Sequence, residues 1–328
     1  MNIQVLQADA LEVTADVLVL KYAQALYGVD ELVVDRLETK GAPIRKLLPK
    51  PGGITLVDGT GQLGAKNVLF VGVASLRTFD YQAIREFARR ALGSLAEEMP
   101  AAAHVAFTLH GAGYGLDEAE AFRSEIAGLI DGIESGKCPA GLQRLSIVER
   151  NVGRARRLQE QLTSILPTRF ATMGGRRKLK DRDTSKLEHI RTAGAESKAK
   201  AHVFVAMPFA SEFDDLFHYG IQQAVNAAGF LCERADLTSF TGDVILWVKE
   251  RIDTASLLVA DISTANPNVC LEVGYAWGKG IPTVLLATDA AVLPFDIKGQ
   301  RCLVYKSIRK LEELLTLELK NLGGIARQ

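Results

Sequence analysis

Cysteine is scarce in this chain: Cys138, Cys232, Cys270 and Cys302 are the only four in 328 residues. No two stand at metal-ligand spacing, and four scattered thiols do not make a disulfide framework. Net charge is absent as well. Lys plus Arg and Asp plus Glu number 39 each, which removes the electrostatic reason to expect nucleic acid or a membrane surface as partner. No apolar run approaches the ~20 residues that span a bilayer. The opening MNIQVLQADALEV lacks the basic and apolar regions of a signal peptide. The five histidines, His104, His110, His189, His202 and His218, are dispersed. Walker, GxSxG and HExxH motifs are missing. These absences predict a soluble, cytoplasmic protein with no membrane, metal or prosthetic group, and with nucleic acid not expected as a partner.

What is present is a globular composition, 48% hydrophobic and 24% charged, long enough for two domains. Over the first 150 residues, short apolar runs such as DVLVLKY, NVLFVGVA and AHVAFTLHG alternate with helical patterns. In DYQAIREFARRALGSLAEEM, Ile84, Phe87, Ala88, Ala91 and Leu95 form one stripe. Residues 168–200 change character: they are rich in charge and poor in aliphatics, and they read as an interdomain linker. From residue 201 a regular strand–helix alternation begins, with HVFVAMPF, FLCERAD, SLLVADIS, IPTVLLAT and RCLVYKS as strands. Buried, β-branched strands separated by helices predict a doubly wound parallel sheet in a flavodoxin-like order. The fold class expected is therefore α/β in two domains: 1–167, a 168–200 linker, and 201–328.

In open sheets of this class a ligand lies at the carboxyl ends of the strands. That rule gathers Met207, Pro208 and Phe209, then Asp236, then Asp261 and Ser263, onto one edge. Asn266-Pro267-Asn268 caps the following helix, and Glu272 falls in that helix's first turns. Two carboxylates at such a rim, Asp261 and Glu272, suit N-glycosidic chemistry, because a carboxylate stabilises or captures an oxocarbenium-like centre. Each residue also has a plainer reading: Glu272 as a helix-face charge, Asp261 as a strand-end turn residue, Asn268 as part of a cap.

The segments FVAMPF, ADIS, NPNVCLEVGYAWGKGIPTVLL and LPFDIKGQRCLVY resemble, in order and spacing over about residues 201–306, the TIR-like branch of the nucleoside 2-deoxyribosyltransferase superfamily. The resemblance implies a nucleoside- or nucleotide-binding domain. It puts Glu272 at the catalytic glutamate, Asp261 at the aspartate that holds the sugar, and Met207, Pro208 and Phe209 in the loop over the ligand. Deoxyribosyltransferases carry a glycine-rich turn with a second aspartate ahead of the glutamate. Here STANPNV stands there, which favours hydrolysis or binding over base transfer.

QADALEVTADVLVL and TLHGAGYGLDEAEAFRSEIAGLIDG resemble a macro-like domain of the kind that precedes leucyl aminopeptidases. That resemblance implies a three-layer α/β domain serving as sensor or assembly module. By motif, Asp9 matches the aspartate near an adenine, and Gly111, Gly113 and Gly115 match a phosphate loop; an ordinary tight turn is the alternative. Taken together, the expectation is a nucleotide N-glycosidase acting on NAD⁺ as substrate. It would be an effector of anti-phage type, regulated by its macro-like half or by homo-oligomerisation. A non-catalytic nucleotide sensor and a nucleoside deoxyribosyltransferase are the alternatives.

Overall fold

The computed structural model describes residues 1–39, 41–75, 78–112, 114–166, 190–234, 244–264, 266–289, 300 and 302–325. The chain divides into two compact units: Met1–Ala112 with Glu118–Lys198, and Gly113–Asp117 with Ala199–Gln328. No helix among the described residues is long and apolar enough to cross a membrane.

The first unit holds β1 (Asn2–Gln7), β2 (Ala15–Tyr22), α1 (Val29–Glu38), α2 (Ile44–Leu47), β3 (Ile54–Asp58), β4 (Ala65–Gly72), α3 (Tyr81–Glu98), β5 (His104–Thr108), α4 (Glu118–Glu134), β6 (Arg144–Glu149) and α5 (Val152–Ile165). Its sheet runs β1-β6-β5-β2-β4-β3, with β3 alone antiparallel. Alternation along the strands sorts the two faces. Leu18, Leu20, Phe70 and Ala106 pack with Val33, Val34 and Leu37 of α1. Phe107, one residue on, meets Phe87 of α3 edge-on with ring centroids 6.2 Å apart. Helix α1 is an element the sequence pattern did not announce, since only Asp30, Val33, Val34 and Leu37 of its ten residues are buried.

Helices α3 and α4 lie along each other at very short range because Gly128 has no side chain. A Cβ there would come within 2.1 Å of the Arg85 carbonyl oxygen. Most of the stretch expected as a linker lies outside the described residues. Its end does not run free: Ile190, Ala193 and Ser197 are buried, and Arg85 donates to the Arg191 and Ala193 carbonyls at 2.6 and 2.7 Å.

The second unit carries β7 (His202–Ala206), a π-helical turn pair (Leu216–Gln222) running into α6 (Gln223–Ala227), and β8 (Leu231–Glu233). Then come α7 (Val244–Thr254), β9 (Leu257–Asp261), α8 (Pro267–Gly278), β10 (Thr283–Ala287), β11 (Cys302–Val304) and α9 (Ile308–Ile325). All five strands are parallel, in the order β8-β7-β9-β10-β11. Val203, Val205 and Met207 face one layer with Phe217, Ile221, Leu311 and Leu315. Phe204 and Ala206 face the other with Trp247, Ile252, Val269 and Val273. Strands buried on both faces explain their continuous apolar runs. The order reverses between β7 and β9, and this opens a crevice at their carboxyl ends.

Candidate functional site

The pairing of Ala206 with Ala260 sets Met207 beside Asp261 at the rim of that crevice. Met207 and Pro208 are buried, and Phe209 is half-buried. The chain therefore crosses the end of the sheet here, since Met207 packs in one layer and Phe209 against the other.

Asp261 ends β9 with its side chain wholly buried. One carboxylate oxygen accepts the Ser263 amide at 3.0 Å, and the other accepts the Tyr305 hydroxyl at 2.6 Å. Burial first, then this hydrogen bond and the negative charge of Asp261, push the Tyr305 phenol far up, so Tyr305 stays a donor. Ser263 is bound in turn, its hydroxyl oxygen accepting the Thr288 amide at 3.0 Å. A strand-end aspartate and a distant tyrosine thus lock three strand ends together. Sequence reasoning found Asp261 but not Tyr305, whose spacing of 44 residues carries no local signal.

Glu272 rides on α8. That helix begins where expected: the Asn266 side chain accepts the Asn268 amide at 2.9 Å, and Pro267 fills the first turn. Asn268 itself is exposed. Val269, Val273 and Ala276 face the core, which leaves Glu272 on the flank of that stripe, half-buried. Burial alone pushes its carboxyl up to about 7. Among the described residues it makes no hydrogen bond or ion pair. Asp236 and Gly113 lie outside the described residues.

In the first unit, Asp9 closes a local turn, accepting the Leu11 amide at 2.9 Å. Gly111 and Gly115 have φ of 89° and 95°, a backbone that favours glycine. Gly115 belongs to the second unit, where a Cβ would lie 2.1 Å from the Trp247 ring. Close packing against an indole is therefore what requires that glycine.

A group of buried polar residues that the sequence reading missed lies nearby in the first unit. Lys21, near the end of β2, donates to Asp30 in the first turn of α1 at 2.8 Å. Thr108 ends β5, His110 follows it with its ring 4.7 Å from Phe87, and Glu125 projects from α4. All five are buried. Among the described residues, Asp30 Oδ1, Thr108 Oγ1 and His110 Nε2 are buried without a hydrogen-bond partner, and the Glu125 carboxyl faces the His110 backbone amide. Burial pushes Glu125 up to about 8, against the opposing His110 backbone and Lys21 charge. Burial, with the Lys21 charge, holds His110 well below its ordinary value. Both side chains are neutral at pH 7. The available signals were a lysine inside an apolar strand and a glutamate inside a buried helical stripe.

No family model matches the chain, and no curated protein matches it. Among solved structures it is similar to the Oceanobacillus iheyensis macrodomain with ADP, at 17% identity over 48% of this chain and 87% of that one, TM-score 0.37. It is also similar to the Trypanosoma brucei macrodomain in complex with ADP-ribose, at 18% identity over 48% of this chain and 68% of that one, TM-score 0.38.

Proposed function

We propose that the second unit binds a nucleotide at the carboxyl edge of its sheet and cleaves the N-glycosidic bond, with NAD⁺ as substrate. The observation that carries this reading is Glu272: a half-buried carboxylate without a partner among the described residues, raised to about 7 by burial, on the helix that leaves the rim at Asp261. The parallel strand order β8-β7-β9-β10-β11 supports this reading, because open parallel sheets bind ligands where the order reverses.

A poorly solvated carboxylate gains more than a solvated one from a cation forming beside it. When the C1′–N bond breaks, its electron pair leaves with the base and the ribosyl carbon becomes cationic. Glu272 stabilises that centre or bonds to it; water then attaches to C1′ and gives up its proton. Nicotinamide leaves NAD⁺ as a neutral molecule, so no acid need protonate it. A site with one unpaired carboxylate suits that leaving group better than a purine, which departs most readily after protonation. In this reading Asp261 shapes the sugar-binding rim through Tyr305 and Ser263. The first unit is the regulatory or assembly module in this reading, the protein works as a homo-oligomer, and its place is that of an anti-phage effector.

One observation favours a second reading, a nucleotide sensor without chemistry: Asp261 is fully buried and both its oxygens are engaged. Incubating wild type and Glu272→Gln with NAD⁺, NADP⁺ and nucleosides, followed by chromatography, separates the two. Base release by wild type that is lost in the variant is expected. Nucleotide binding without base release at any protein concentration would leave the sensor.

A further inference from the structure

The buried polar group of the first unit holds one cation and two carboxyls. Lys21 supplies the cation, Asp30 of α1 and Glu125 of α4 are the carboxyls, and none is more than 2% exposed. Strand register sets Lys21 between them. Val19 pairs with Phe107, whose ring meets Phe87 of α3. Val19 and, two residues on, Lys21 therefore leave β2 on the side of α3 and α4, whereas Leu18 and Leu20 leave it on the side of α1. Yet Lys21 Nζ donates to Asp30 Oδ2 at 2.8 Å. The lysine stem starts on the side of Glu125, and its head reaches past the strand end to α1. Its charge acts on both carboxyls.

Two buried carboxyls beside one ammonium cannot both ionise without leaving a net negative charge in the interior, so one proton stays with them. Asp30 holds the ammonium and Glu125 holds the proton, burial pushing its carboxyl up to about 8. From the end of β5 it is faced by the neutral His110. On α3, Arg85 is bound to Asp131 and Arg90 donates to the Gly72 carbonyl. On α5, Arg154 and Arg157 pair with Glu118, and on α4 itself Arg123 pairs with Glu120. Helix α1 has few other ties at its start. Gly28 caps it without a side-chain hydrogen bond, only Asp30, Val33, Val34 and Leu37 are buried, and Asp30 Oδ1 has no hydrogen-bond partner among the described residues.

We propose that Lys21 is the moving part of a proton-controlled switch in the first unit: its ammonium fastens α1 through Asp30 while Glu125 keeps its proton, and turns to Glu125 when that proton is lost to solvent. The Asp30 carboxylate, then buried without its counter-charge, is hydrated by opening of the first turn of α1. What is shared is the charge of Lys21, and no vacant donor is required. The switch is independent of any chemistry in the second unit.

The test is hydrogen exchange of the full chain between pH 6 and 9, read by mass spectrometry on peptides from α1 and α3 and corrected for the intrinsic pH dependence of exchange. In wild type the protection of α1 should fall relative to that of α3 as pH rises through about 8, by up to about tenfold per pH unit for one linked proton. Glu125→Gln, which has no proton to lose, should keep the protection of α1 level. Asp30→Asn leaves Glu125 as the only carboxyl for the ammonium, so the loss of stability between pH 5 and 8 in urea unfolding should largely vanish. Parallel protection of α1 and α3 in wild type overturns the proposal. So does a Glu125→Gln variant whose α1 still loosens, or an Asp30→Asn variant that keeps the whole alkaline loss. If Asp30→Asn does not fold, wild type and Glu125→Gln decide alone.

Discussion

Replacing Glu125 with glutamine should make the first unit more stable at alkaline pH and change little at acid pH. In the folded protein this carboxyl titrates at about 8, against an ordinary value of 4.5. Between those values the folded state holds a proton that the unfolded chain has released, so stability falls as pH rises. The slope for one group reaches about 1.4 kcal/mol per pH unit. Integrated over the interval, the wild type loses about 4 kcal/mol by pH 8, and about 3 kcal/mol of that by pH 7. Glutamine has the shape and hydrogen-bonding capacity of the neutral acid but no proton to lose. The contribution of His110 runs the other way. Its folded value is depressed, so its share of stability is present above its unfolded value of 6.5 and lost as pH falls. It is common to both proteins and cancels in their difference. Urea unfolding of wild type and Glu125→Gln at pH 5, 6, 7 and 8 measures that difference directly. It should be within about 1 kcal/mol at pH 5 and grow steadily to several kcal/mol at pH 8. Two proteins whose transitions move in parallel with pH would refute the argument, because they would mean that Glu125 ionises as easily folded as unfolded.

Two further predictions concern the second unit. Tyr305→Phe removes the donor to a fully buried carboxylate oxygen, which should cost about 1–3 kcal/mol by chemical denaturation; no loss would mean that Asp261 finds another donor. If Glu272 acts as an anion, the rate of base release should rise with pH and level off around a midpoint near 7, and a flat profile from pH 5 to 9 would remove Glu272 from that step.

How far the sequence could be read depended on whether a signal was local. The alternation from residue 201 was visible because each strand is a continuous apolar run and each helix has its own stripe or cap, as Asn266 and Pro267 show for α8. The position of Asp261 at a strand end followed from the same pattern. Its burial did not, because that depends on Tyr305, which is remote in sequence and adjacent only through the pairing of β9, β10 and β11. Helix α1 was missed because a charged ten-residue segment with few core positions has little periodicity. For Leu216–Gln222, the choice of π over α helix leaves no trace in the spacing of apolar residues. Lys21 and Glu125 were hidden by the opposite effect, a strong apolar context that disguises single charges. The inclusion of Gly113–Asp117 in the second unit has no counterpart in composition.

The passage of Met207, Pro208 and Phe209 over the sheet end has a mechanical consequence. Three successive residues are pinned, the first in one core and the third against the other, and close-packed interiors resist being strained. That wall of the crevice moves only if both layers move with it, so it acts as a fixed anvil. Val269, Val273 and Ala276 of α8 belong to the layer that holds Phe209, so the helix that carries Glu272 is tied to the same anvil.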